Sequence, residues 1–387
     1  MSFAQEVGLN SLSPKYIEIL GPKYVELYNQ NIVGKFLAHQ VSMKENRQNP
    51  VIAGLGGEPG PAIGRIWDTK IPVKEPEGEI TLRVYEPKEL GEKEEKPVYI
   101  NFHGGGWCIG GIGDDEPFIR HVVDRLGVIV IDVGYRLAPE FRFPVPLEDC
   151  WTAFEYIRTH ASQFRINPSQ IAVGGFSAGG HISAILSHRA RDKGIQAIVF
   201  ALIVIPVTDA NALDEELFIR RDSPYKSWTE HHDGPFLSYH RMSYFYRYFL
   251  PASGITSSFL ASPLLSPIHQ TNFKSLPPTL VAVAEVDVLR DEGLAYARKM
   301  REEGDGWVQC WLARNVPHPF PHQYKATERA VEFRELAIKR LAEAFKGELK
   351  GKHWETNVDV EPKIAGTKAE TVTQETAAAG KVGYGGN

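Results

Sequence analysis

The stretch IAVGGFSAGGHISAIL, Ile171 to Leu186, decides how the rest of the chain is read. Ile171-Ala172-Val173 has the apolar character of a buried strand, and the residues from Ala178 to Ala190 have a helical pattern. Between them lies Gly175-Phe176-Ser177-Ala178-Gly179. A bare G-x-S-x-G is a weak signal, but a strand, a tight turn and a helix around it make a strong one. Such an elbow needs small residues on both sides of the serine, because the backbone there is strained and runs close to its neighbours. It lifts the serine oxygen out of the sheet edge and sets a helix N-terminus, with its free N–H groups, beneath any negative charge that develops.

Working outward, strand-length apolar runs alternate with helical patterns from about residue 79. The strand candidates are ITLRVYEP, VYINFH, VIVIDVGY, IAVGGF, AIVFALIVI, TLVAVAEV and WVQCWLA. Helices are expected over 117–126, 147–159, 178–190, 294–303 and 324–345. Several strands are apolar on both faces, as in a sheet buried between helix layers. The alternation predicts an α/β fold with a mostly parallel sheet.

A second loop, His103-Gly104-Gly105-Gly106-Trp107, follows the strand VYINF. Consecutive glycines leave backbone N–H groups free to point at an oxyanion; the alternative is a flexible turn. Downstream of Ser177, Ala284-Glu285-Val286-Asp287 ends the strand TLVAV, and Val316-Pro317-His318-Pro319-Phe320-Pro321-His322 follows WVQCWLA. The order serine, acid, histidine is that of α/β-hydrolases, and each residue would stand at a strand C-terminus, where open α/β sheets place their sites.

The chain resembles the hormone-sensitive-lipase-like branch of the α/β-hydrolases, the microbial esterases and arylacetamide-deacetylase-like carboxylesterases. The resemblance rests on HGGGW, on Tyr135-Arg136-Leu137-Ala138-Pro139-Glu140, on GFSAGG and on DVLRDEG, and covers about residues 80–345. It implies Ser177 as nucleophile, Asp287 as acid and His318 as base. It implies an oxyanion hole from the N–H groups of Gly105, Gly106 and Ala178, and a cap of N-terminal helices and an insertion. One departure stands out: Pro319 replaces the glycine that commonly follows the histidine, and a second histidine, His322, lies close by as an alternative base. The expected activity is hydrolysis of small to medium, bulky or aromatic, carboxylic esters through an acyl-enzyme. A non-hydrolytic or lactone-processing biosynthetic enzyme, or a ligand receptor on the same scaffold, are the alternatives.

The expected divisions are N-terminal cap helices over 1–50, a first core segment over 51–208, a cap insertion over 209–250, a second core segment over 251–353 and a disordered polar tail over 354–387. In the cap, Val25, Tyr28, Ile32, Val33, Phe36 and Leu37 fall on one helical stripe. The aromatic run of the insertion, with Trp228, Tyr244 and Phe249 among its members, either packs a small core of its own or walls a substrate pocket.

Composition narrows the partners. Of 387 residues, 43 are basic and 48 acidic, giving a net charge of −5 and arguing against nucleic acid as a partner. No apolar run is long enough for a membrane span, and MSFAQEVGLN lacks the features of a secretory signal, so a cytoplasmic protein is expected. The odd count of 3 cysteines, with no C-x-x-C pair, argues against a disulfide framework or structural zinc. Cys108 has no cationic partner in sequence and is expected to be unreactive. His103 and His181 read as supporting residues. No metal or organic cofactor is expected; the partner is a small-molecule ester, with a homodimer left open.

Overall fold

The computed structural model describes residues 9–48, 55, 57–91 and 94–358. The chain begins with helices α1 (Pro14–Leu20), α2 (Pro22–Asn31) and α3 (Met43–Gln48). Next come β1 (Ile66–Lys74), β2 (Glu77–Tyr85), β3 (Lys96–Phe102), α4 (Glu116–Leu126), β4 (Ile129–Gly134), α5 (Val145–Thr159) and α6 (Ala161–Phe164). Then follow β5 (Ile166–Phe176), α7 (Ala178–Asp192), β6 (Ile198–Val204), α8 (Lys226–Glu230), α9 (Tyr239–Phe249) and α10 (Ser257–Leu260). The last elements are β7 (Thr279–Val286), α11 (Arg290–Glu303), β8 (Trp307–Pro317), α12 (Glu328–Phe345) and β9 (His353–Thr356).

The strands form one 9-stranded sheet in the order β1-β2-β4-β3-β5-β6-β7-β8-β9. β1 and β2 pair antiparallel, as do β2 and β4, and every pairing from β4 through β3 to β9 is parallel. Alternate residues of each central strand serve two cores. Val98, Ile100 and Phe102 of β3 face the layer holding α5, α7 and α11. Tyr99, between them, faces the layer of α4 and α12, with Phe118, Phe333 and Leu341. Burial on both sides explains why these strands read as continuous apolar runs.

A third cluster joins the N-terminal helices to the strand ends. Tyr16, Leu20, Tyr24, Tyr28 and Ile32 pack with Phe236, Val286 and Ala326. The buried stripe of α2 is therefore Tyr24-Tyr28-Ile32, and it does not continue to Phe36, which is 58% exposed. The chain leaves helical geometry at Ile32, where α2 ends, and the phase of the stripe is lost there. The cap boundary expected at residue 50 lies outside the described residues.

Two strands escaped the sequence reading. In β1 only Ile71 and Val73 are buried, and the rest of this edge strand is polar or half-exposed, so no apolar run marks it. β9 lies in the segment expected to be a disordered tail from residue 354. Its first residues instead extend the sheet: Trp307–Cys310 pair with His353–Thr356. The attachment is polar, which hid it from an argument based on apolar content. Glu355 accepts from Gln309 Nε2 at 2.9 Å and from Arg340 Nη2 at 2.6 Å. Asn357 closes a two-way clamp on Leu312, accepting from its N–H at 2.8 Å and donating to its carbonyl at 3.0 Å. The rest of the expected tail, 359–387, lies outside the described residues. Among the described residues, no helix is long and apolar enough to cross a membrane.

A chain ending at residue 352 is expected to melt about 2–5 °C below one ending at residue 358, because the shorter chain loses the β9 ladder, the Asn357 clamp and a half-buried charge pair. Thermal melts of the two truncations by circular dichroism check this; coincident curves would show that β9 adds nothing to stability.

Candidate active site

β3, β5, β7 and β8 all end at one edge of the sheet, and the residue after each end carries a candidate group. Ser177 follows Phe176, Asp287 follows Val286, His318 follows Pro317, and the His103–Trp107 loop follows Phe102. Strands adjacent or nearly adjacent in the sheet thus bring together residues that are far apart in sequence.

Ser177 is the N-cap of α7 and has φ 56° and ψ −113°, a left-handed backbone that costs a non-glycine residue about 1–3 kcal/mol. Its N–H donates to Val204 O at 2.8 Å, which fixes the turn against the neighbouring strand β6. The helix that follows lies hard against β3. A Cβ on Gly179 would fall 1.8 Å from Phe102 O, so only glycine fits there.

His318 Nε2 lies 2.9 Å from Ser177 Oγ, and His318 Nδ1 lies 2.6 Å from Asp287 Oδ2. The acceptor-only carboxylate sets the tautomer: Nδ1–H donates to Asp287, and Nε2 is left to accept from the serine hydroxyl. Asp287 is 1% exposed. Its other oxygen accepts the Leu289 N–H at 3.0 Å, which holds the carboxylate in its plane. Glu285, two residues earlier, turns aside to accept the Asn315 N–H at 2.6 Å.

His322 points elsewhere. Its Nε2 lies 2.7 Å from Asp115 Oδ1, and its ring meets the edge of Phe176. Asp115 belongs to a buried polar cluster behind the glycine loop, in which Asn101 Nδ2 donates to both Asp115 and Asp132 at 2.9 Å. Burial, reinforced by the charge of Asp115, pushes the Asp132 carboxyl up to about 7. Pro319 therefore leaves His318 facing the serine and starts the short turn that carries His322 away.

The glycine loop is braced on several sides. Gly105 and Gly106 have φ of 108° and 57°, and among the described residues neither their N–H groups nor that of Ala178 donates to a protein acceptor. The His103 ring stacks on Tyr135 with centroids 4.1 Å apart, and Tyr135 Oη donates to His103 O at 2.8 Å. Ala138 N–H donates to Trp107 O at 2.9 Å, so the Tyr135–Glu140 turn supports the loop directly. His181 fixes Trp107 from below. Its Nε2–H donates to Leu265 O at 2.9 Å, leaving Nδ1 to accept from Trp107 Nε1 at 3.2 Å. Burial pushes the His181 imidazole down to about 4, which keeps it neutral in this role. The Cys108 thiol is buried and pushed up to about 12 by desolvation, which fits an inert side chain.

The aromatic run of the insertion divides by what each ring touches. Trp228 is fully buried and donates to Glu292 Oε2 at 2.8 Å. Phe249 is also fully buried and stacks on Trp107 at 4.1 Å. Both brace the core and neither walls a pocket. Phe245 is the residue of the run that reaches the site: a Cβ on Gly106 would fall 2.4 Å from its ring. Sequence reasoning placed Phe245 in the aromatic run without singling it out, and missed Arg47 of α3, whose Nε donates to Cys108 O at 2.9 Å and whose Nη1 bonds Glu140 at 2.8 Å. Neither residue carries a motif; only its position in the fold gives it this place.

The comparisons with known proteins agree with this fold. A family model described as the alpha/beta hydrolase fold matches residues 99–322. The fission yeast AB hydrolase superfamily protein C1039.03 is 33% identical over 275 residues, 70% of this chain and 77% of the relative. Carboxylesterase NlhH of Mycobacterium tuberculosis is 34% identical over 226 residues, 58% of this chain and 66% of the relative. Among solved structures, an ester-hydrolase from the metagenome of Lake Arreo, in complex with a derivative of bipyridine phosphonate, superposes with a TM-score of 0.72 at 28% identity, covering 87% of this chain and 99% of that one. A Pyrobaculum calidifontis esterase superposes with a TM-score of 0.70 at 27% identity, over 84% and 98% of the two chains. With the strand-end serine, acid and histidine in place and a family model spanning more than half its length, this chain belongs to the α/β-hydrolases, in their hormone-sensitive-lipase-like branch.

Proposed function

We propose that this chain hydrolyses small to medium carboxylic esters through an acyl-serine intermediate, with Ser177 as nucleophile, His318 as base and Asp287 as the acid that orients it. The observation that carries the reading is the unbroken chain of contacts from Ser177 Oγ to His318 at 2.9 Å and from His318 to Asp287 at 2.6 Å. The carboxylesterase and esterase names among the relatives and solved structures support the ester as substrate.

The chemistry follows from the positions. His318 Nε2 takes the hydroxyl proton as Ser177 Oγ attacks the ester carbonyl, and the buried Asp287 stabilises the imidazolium that forms. The N–H groups of Gly105, Gly106 and Ala178 receive the oxyanion, with the N-terminal end of α7 adding its dipole. Imidazolium then protonates the leaving alkoxide, and His318 activates water to release the acid. Phe245 bounds the space over Gly106 and limits what can reach the carbonyl.

Wild-type enzyme is expected to turn over 4-nitrophenyl esters, assayed from acetate to palmitate, and to place one label from ¹⁸O-water in each acid released. A product lacking the label would favour non-hydrolytic chemistry.

Ser177→Ala is expected to lower kcat by about 10⁴-fold or more while leaving the melting temperature nearly unchanged, and a fluorophosphonate should label Ser177 in the wild type. His318→Ala should cost a similar factor, and the double variant scarcely more than either single one, because the groups act as a unit. His322→Ala should cost far less in kcat than in stability. An inactive His322 variant beside an active His318 variant would reverse the assignment of the base.

Gly106→Ala is expected to cost about 10²–10³-fold in kcat/KM, the range found when an oxyanion donor is lost, because its Cβ collides with Phe245 and displaces the loop. Adding Phe245→Ala should restore part of that loss. A double variant as poor as Gly106→Ala would place the damage in the backbone alone.

A further inference from the structure

Arg241, in the first turn of α9, breaks a pattern kept by the chain's other deeply placed arginines. Arg136 pairs with Asp149, Arg191 with Asp192, and Arg340 with Glu343 and Glu355. Arg241 is 8% exposed, yet no carboxylate among the described residues pairs with it. One guanidinium nitrogen, Nη1, donates to Phe236 O at 2.7 Å. Its Nε has no partner among the described residues. The groups facing it from the packed elements are the phenols of Tyr28 on α2 and Tyr244 on α9, and the imidazole of His39. His39 Nδ1 is a second buried polar atom without a partner among the described residues, and the His39 ring lies over His240 with centroids 6.5 Å apart.

A buried cation without a counter-charge is strongly unfavourable unless something supplies the charge. Burial already pulls the Arg241 guanidinium down to about 10, which still leaves it charged at neutral pH. Its position is informative. Arg241 stands one helical turn before Phe245, with the guanidinium carbon 5.7 Å from the Phe245 ring, and that ring covers Gly106 of the glycine loop. Arg241 and Phe245 share one face of α9, so an acyl chain that leaves the glycine loop past Phe245 would head toward the guanidinium.

We infer that Arg241, with the unpartnered His39 Nδ1 beside it, forms a carboxylate-binding subsite in the cap, so that the preferred substrates are monoesters of dicarboxylic acids. This rests on the ester-hydrolase reading above and extends it to the substrate class. The carboxylate would accept from Arg241 Nε and hold the far end of the acyl chain, while the ester end lies at Ser177.

The test compares ethyl hexanoate with monoethyl adipate, which differ only in a terminal methyl replaced by carboxylate, by pH-stat at neutral pH. Wild-type kcat/KM should favour monoethyl adipate by about tenfold or more. Arg241→Met should lose at least tenfold more on the anionic ester than on the neutral one, and Arg241→Lys should keep part of the preference. A wild type that favours ethyl hexanoate, or an Arg241→Met variant that loses equally on both, overturns the subsite. Binding supplies an arm independent of catalysis and of variant folding: adipate should raise the wild-type melting temperature more than adipamide at matched ionic strength, and equal shifts overturn the proposal. Should neither ester be hydrolysed, the ester-hydrolase reading fails, and the adipate and adipamide melts still decide the subsite.

Discussion

The site depends on one backbone constraint, the left-handed turn at Ser177. The turn is unfavourable for a serine, and it persists because its surroundings allow no alternative: the Ser177 N–H is tied to Val204 O, and α7 is pressed against β3 at Gly179. Relaxing the turn would break that hydrogen bond and separate two packed layers. The same turn aims Oγ outward at His318 and leaves the Ala178 N–H at the open end of a helix. The proposed nucleophile, its contact with His318 and the proposed oxyanion donor thus share a single conformational requirement, which the sheet enforces.

Much of this was legible in the sequence because the chemistry is written in residues with few substitutes. Glycines at a strand end, a serine between glycines, and an acid and a histidine after later strands are recognisable wherever they occur, and the parallel sheet fixes which of them meet. The two parts that were not legible share a physical cause. β1 and β9 are edge strands held by polar and half-exposed residues, and the clamp from Asn357 to Leu312 leaves no trace in hydropathy. Phe36 was misplaced because the helical phase ends at Ile32.

The aromatic insertion shows where pattern reading reaches its limit. Trp228, Phe245 and Phe249 look alike in sequence. Trp228 and Phe249 are sealed into the core, one by a hydrogen bond to Glu292 and the other by stacking on Trp107, while Phe245 lies over the glycine loop. The difference is set by the rotation of α9 and the path of the loop before it, neither of which is a local property. His322 teaches the same lesson. Its closeness to His318 in sequence made it a rival base, and three residues of turn send it to Asp115 instead.

Arg47 ties the cap to the catalytic floor at a telling place. Its guanidinium holds Cys108 O, just past the glycine loop, together with Ala138 O and the Glu140 carboxylate of the turn that supports that loop. A door whose bolt is also a beam of the frame cannot swing at that side. Movement of α3 would slacken the loop proposed to receive the oxyanion, whereas α1 and α2 meet the core through the apolar cluster around Val286 and Ala326 and through hydrogen bonds from Tyr16 to Asp233 and from Tyr24 to Gln323, away from that loop. A displacement of α1 and α2 would therefore leave the glycine loop and its Arg47 brace in place, whereas a displacement of α3 would not.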